Sequence, residues 1–114
     1  MTANTSDINI AVTFRHTEST PSLKAYATEK VLHCLKKYIS AHADVQIVMS
    51  VEKRDHNVEV KVLSKDYEVS GKASTGDLYS AIDKVVDTVE TQIRKQKERL
   101  RSHKHTSARA GELP

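Results

Sequence analysis

The chain has 114 residues, 38% hydrophobic and 29% charged, with a formal net charge of +3, a composition that suits one compact domain and disfavours a second folded one. Its single cysteine, Cys34, excludes an intrachain disulfide framework, and the stretch Met1 to Val12 has neither a basic leader nor a long apolar run, so a cytoplasmic protein is expected. No segment approaches the roughly 20 apolar residues that cross a bilayer, and a membrane partner is not expected.

Ile8, Ile10, Val12 and Phe14 alternate with Asn9, Ala11 and Thr13, the period-two pattern of a strand with one buried face. After a polar turn, Thr20 is placed to cap a helix with Pro21 at its first position; Leu23, Ala27, Val31, Leu35 and Tyr38 then recur at helical spacing to about Ile39. Three hairpin-linked strands follow. Val45, Ile47, Met49 and Val51 mark the first; Val58, Val60 and Val62 follow a turn at Arg54 to Asn57; Tyr67, Val69 and Ala73 follow a turn near Ser64 to Asp66. Gly71, inside the last strand, signals a bulge or a close backbone contact. A second helix is predicted from near Gly76, with Leu78, Ile82, Val85, Val89, Ile93 and Leu100 forming one apolar stripe.

The order βαβββα predicts an α/β two-layer sandwich, a four-stranded mixed sheet with both helices packed on one face. Its first two strands are expected to pair in parallel through a right-handed crossover, and the last three to form an antiparallel meander. Residues 1–103 make up the predicted domain, and residues 104–114, without periodicity, an expected flexible C-terminal tail.

Charge is concentrated at one helix end: Ile93 to Lys104 carries six Lys and Arg against one acid, Glu98. A helix built for stability alone would interleave glutamates at four-residue spacing, so these cations point to a polyanionic partner more than to a solvated face. The outward sheet residues, among them Glu52, Glu59 and Glu68, include no aromatic and make a poor platform for bases. The helices remain, and the candidate RNA contacts are Lys24, Lys30, Lys36 and Lys37 on the first and Lys84, Arg94, Lys95, Lys97, Arg99 and Arg101 on the second. Side by side, the two helices are expected to present one basic stripe that touches phosphates and reads no base. Tyr79, off the apolar stripe, either flanks the core or contacts RNA.

Catalytic constellations are weak. Cys34 and His33 point about 100° apart on a helix and lack an orienting third group, so a partly buried structural thiol is the better reading. Asp77, Tyr79 and Asp83 resemble an acid–base set, yet Asp77 sits where a carboxylate starts a helix. His103 and His105 are too few for a metal site, and no phosphate-cradling glycine loop is present, so neither an enzyme nor a cofactor is expected.

The segments RHTESTPSLKAYATEK from Arg15, VMSVEK from Val48, GDLYSAIDKVVD from Gly76 and QIRKQKERLRSH from Gln92 together resemble the bacterial ribosome hibernation-promoting and ribosome-associated inhibitor factors, in their short form. Asp77, Tyr79, Ala81, Ile82 and Asp83 match that family's Asp-Met-Tyr-Ala-Ala-Ile-Asp signature, and Gln92, Lys95, Lys97, Leu100 and His103 match its basic helix end. Phe14 departs from the family's usual glycine, the stretch VLHCLKKY makes the first helix one residue longer than the family's usual pattern, and the tail is short where the related inhibitor form has an extended acidic one.

The resemblance implies the same βαβββα fold and a non-enzymatic factor of stress or stationary phase. Such a factor sits on the small ribosomal subunit, on the ribosomal RNA of the channel for messenger and transfer RNA, and inhibits translation by occupying it. It further implies a monomer off the ribosome that favours paired, inactive ribosomes with help from a second small modulation factor. A general structured-RNA-binding module, not specific to the ribosome, is the alternative that fold order and charge also allow.

Overall fold

The computed structural model of the chain describes residues 7–108, with side chains through Leu100. The elements are β1 (Ile8–Arg15), α1 (Pro21–Lys36), β2 (Ala43–Glu52), β3 (Asp55–Ser64), β4 (Glu68–Thr75) and α2 (Leu78–Ala108). The sheet order is β1-β2-β3-β4, with β1 and β2 parallel and the other neighbours antiparallel. This is the expected two-layer sandwich. Alternate residues along each strand face the helices, and Val45, Ile47, Met49, Val58, Val60, Val62 and Val69 are almost wholly buried there against Val31, Leu35, Ile82, Val85, Val89 and Ile93.

Because β1, β2 and β4 run the same way, the helices that follow β1 and β4 both return against them and lie parallel to each other. The contacts agree: Tyr26 meets Tyr79 and Asp83 near the start of both helices, whereas Lys37 and Tyr38 meet Glu90 further along.

The local details differ from expectation at several points. The β2–β3 loop is only Lys53-Arg54, with Glu52 paired to Asp55 and Lys53 at φ 59, so the predicted four-residue turn is replaced by a tight hairpin. Thr20 occupies the N-cap of α1 without a side-chain cap bond, its hydroxyl donating instead to the Glu18 carbonyl at 3.4 Å. The helix ends at Lys36, not Ile39, because the amides of Tyr38 and Ile39 both bond the Leu35 carbonyl and close the last turn.

Gly71 sits in unbroken register with Val60, so there is no bulge; it permits a close approach of α2, since a Cβ there would lie 3.2 Å from Thr88 Cγ2 and 3.3 Å from Val89 Cγ2. Asp77 caps α2, as expected from its place at the helix start, accepting the Ser80 amide at 2.9 Å and the Ser80 hydroxyl at 2.8 Å. At the other end α2 continues helical through Ala108, past the expected boundary at residue 103. The rest of the expected tail, residues 109–114, lies outside the described residues. Leu100, predicted in the apolar stripe, is 43% exposed, because α2 has by then passed the end of the sheet: Gln96 already meets Glu68, the first residue of β4.

Candidate nucleic-acid interface

The crevice between the helices is lined by a repeated motif. Asp83 accepts the Tyr26 hydroxyl at 2.7 Å and lies 3.6 Å from the Lys30 ammonium; Glu90, seven residues on, accepts the Tyr38 hydroxyl at 2.6 Å and the Lys37 ammonium at 2.9 Å. Seven residues are almost two helical turns, so both carboxylates face α1. The bonds hold the phenols of Tyr26 and Tyr38 above the ordinary phenol range, and hold Lys37 above and Glu90 below their ordinary values.

This seam divides the sequence-predicted contacts. Lys30 and Lys37 are engaged with carboxylates, so part of their charge is neutralised within the protein. Lys24, Lys36, Lys84, Arg94, Lys95, Lys97 and Arg99 are exposed and make no ion pair among the described residues. Arg101 lies on α2, and its side chain falls outside the described residues. Tyr79 is 43% exposed and packs edge-on against Tyr26, with ring centroids 5.0 Å apart.

The expected continuous basic stripe is therefore interrupted. The first half of α2 brings Asp83, Asp87 and Glu90 to the helix layer beside the single Lys84, whereas Arg94, Lys95, Lys97 and Arg99 all follow Glu90. Since the helices are parallel, these four stand at the same end of the molecule as Lys36 and Lys37, the last turn of α1. Of these, Lys36 and Lys37 also oppose the negative end of the α1 dipole, so their placement stabilises that helix as well as attracting an anion.

The α2 cations do not share one face. Glu90, Arg94 and Lys97 are spaced by four and three residues and turn toward α1; Gln92 and Gln96 turn toward β4, where Gln92 donates to the Ser70 carbonyl at 2.8 Å and Gln96 to that of Glu68 at 2.9 Å. These two glutamines occupy edge groups of β4 that would otherwise accept another strand. From Lys97 to Ala108 the helix runs about 18 Å beyond its last sheet contact.

The opposite sheet face is open and carries no aromatic among the described residues, and its carboxylates Asp44, Glu52, Glu59 and Glu68 mix with Arg15, Lys61 and Lys72. Cys34 is buried, and that burial, with Glu90 nearby, pushes its thiol up to about 11, far from a nucleophile's range. Bonds from Ser80 hold Asp77 below the ordinary carboxylate range, as suits a helix cap. No cluster of three or more His, Cys, Asp or Glu that could hold a metal occurs among the described residues, and none of their helices is long and apolar enough to cross a membrane.

Sequence reasoning missed Tyr26, Tyr38 and Glu90 as organisers of this surface. Tyr38 falls on an apolar stripe in the sequence, and Glu90 carries no local signal of its own; only the recurrence of Asp83 and Glu90 opposite Tyr26 and Tyr38 could have signalled a seam.

Residues 10–101 match the family described as Sigma 54 modulation protein / S30EA ribosomal protein. A ribosome hibernation promoting factor of Pseudomonas putida is 30% identical over 95 residues, covering 83% of this chain and 92% of that protein. One from Escherichia coli is 28% identical over 96 residues, covering 84% of this chain and 100% of that protein. Among solved structures, the N-terminal domain of Thermus thermophilus Protein Y aligns with a TM-score of 0.70 at 27% identity, over 76% of this chain and 97% of that one. A ribosomal subunit interface protein from Coxiella burnetii shares the fold, with a TM-score of 0.70 at 22% identity over 79% of this chain and 98% of that one.

Proposed function

Because the chain belongs to the Sigma 54 modulation protein / S30EA ribosomal protein family, we propose that it is a ribosome hibernation factor, acting in the cytoplasm in stress or stationary phase without catalysing a reaction. It binds the small ribosomal subunit through the cation-rich end of its helix layer. The carrying observation is the convergence of Lys36 and Lys37 with Arg94, Lys95, Lys97 and Arg99 at one end of two parallel helices. Such a surface contacts the phosphates of structured RNA, and the folded domain behind it is too bulky to share a channel with transfer RNA. The hibernation-promoting names of the relatives point to the ribosome as the RNA in question.

Occupancy of the channel for messenger and transfer RNA then inhibits translation, with no bond made or broken. The factor is a monomer off the ribosome, and favours inactive ribosome dimers together with a second small modulation factor. The test is sedimentation of purified ribosomal subunits with the protein. Co-migration with small subunits, undiminished by excess unrelated structured RNA, is expected; equal competition by that RNA would favour the alternative of a general RNA-binding module.

A further inference from the structure

Around Tyr38 three cations gather from two helices. The Lys37 ammonium lies 5.9 Å from the centre of the Tyr38 ring and the Lys97 ammonium 5.7 Å, distances at which the ring's negative face attracts a cation. Arg94 follows Glu90 by four residues and precedes Lys97 by three, so it shares their side of α2. One oxygen of Glu90 accepts both the Tyr38 hydroxyl and the Lys37 ammonium, whereas neither Arg94 nor Lys97 has an ion-pair partner among the described residues. Three cations against one carboxylate leave an excess of positive charge, and the unengaged donors belong to Arg94 and Lys97.

The ring itself is fixed. The amide of Tyr38 bonds the Leu35 carbonyl at 2.9 Å, its hydroxyl is tied to Glu90, and its side chain packs against the hydrophobic core. Lysine side chains normally lose substantial rotamer freedom when they bind, and a ring that already holds the ammonium reduces that loss. We propose that this cluster is a preorganised seat for a phosphodiester group of ribosomal RNA, in which Arg94 and Lys97 contact the phosphate and Tyr38 and Glu90 are positioning residues. The proposal rests on the small-subunit reading above and adds residues that carry no positive charge.

The test measures binding of the full chain to small ribosomal subunits for Tyr38→Phe, Tyr38→Met, Lys97→Gln and the Met/Gln double variant. Tyr38→Phe keeps the ring face but loses the Glu90 bond that fixes it, and is expected to weaken binding less than Tyr38→Met, which fills volume without a ring face and weakens binding about tenfold. Lys97→Gln lowers the slope of log affinity on log salt by about one contact. Once Lys97 is neutral the ring has less to hold, so the double variant loses clearly less than the sum of the two single losses. Strict additivity, or a Tyr38→Met variant that binds like the unaltered chain, would overturn the seat. Should Tyr38→Met melt below the assay temperature, Tyr38→Leu repeats the cycle. Failure of the unaltered chain to bind small subunits would instead remove the small-subunit reading, a result distinct from additivity.

Discussion

Asp83 and Glu90 stand seven residues apart on α2, and each carboxylate receives a tyrosine hydroxyl and a lysine ammonium, Asp83 from α1 and Glu90 from the two residues that follow it. The two sets tie together helices that the strand directions make parallel, so the cations at the end of α1 and the middle of α2 reach the same end of the molecule.

The seam has a defined pH window. Glu90 is held below its ordinary value, so its contribution is complete above the unfolded carboxylate range and is lost as pH falls through the folded value; Asp77 at the α2 cap behaves the same way. Lys37, Tyr38 and Tyr26 are held above theirs, so their contribution is complete below the unfolded values and is lost as pH rises through the folded ones. Spectrophotometric titration of the phenols should show Tyr26 and Tyr38 ionising above the ordinary phenol range, and Glu90→Gln should return Tyr38 alone toward it. A titration curve that Glu90→Gln leaves unchanged would mean that the Tyr38 hydroxyl bond does not persist in solution.

Gly71→Ala should destabilise the fold by about 1–3 kcal/mol, because the new Cβ must push Thr88 and Val89 away from the sheet. Gly76→Ala is the control: a Cβ there meets nothing within 4 Å. Thermal melting of the two variants measures the difference, and equal melting temperatures would contradict the close contact between β4 and α2.

Replacing Arg94, Lys95 and Lys97 together by glutamate should abolish co-sedimentation with small subunits while circular dichroism stays native. All three are exposed, so folding does not depend on them. Lys30→Gln should have a much smaller effect, since Asp83 already offsets that charge. The unaltered chain's log affinity should fall with log salt by several units, each phosphate contact adding roughly 0.7 to 0.9. Retained binding by the triple variant would remove α2 from the interface.

Occlusion demands reciprocity. Messenger and initiator transfer RNA should displace the protein from small subunits, and the protein should lower initiator binding by the same factor, because two ligands that exclude each other weaken each other equally. A complex carrying both at undiminished affinity would leave a peripheral RNA-binding module as the account of the surface.

Periodicity is a property of neighbouring residues, and what depends on it was legible in the chain. The alternation of Ile8 to Phe14 and of Val45 to Val51, and the helical recurrence of Leu78 to Ile93, specify which side of each element is apolar; four strands and two helices with one apolar face each have few ways to bury it. The excess of cations after Glu90 was equally visible, since it needs only a count. Which of those cations are free was not, because Lys30 and Lys37 are engaged by carboxylates that lie some fifty residues further along the chain. Leu100 obeys the helical period yet is exposed, because the length of β4, not the period of α2, sets where the core ends. Gly71 reads as a weak point in a strand until α2 is laid across it, when the missing Cβ becomes the space that helix occupies. Pairings of this kind arise from the distance between elements after packing, a quantity that no local pattern contains.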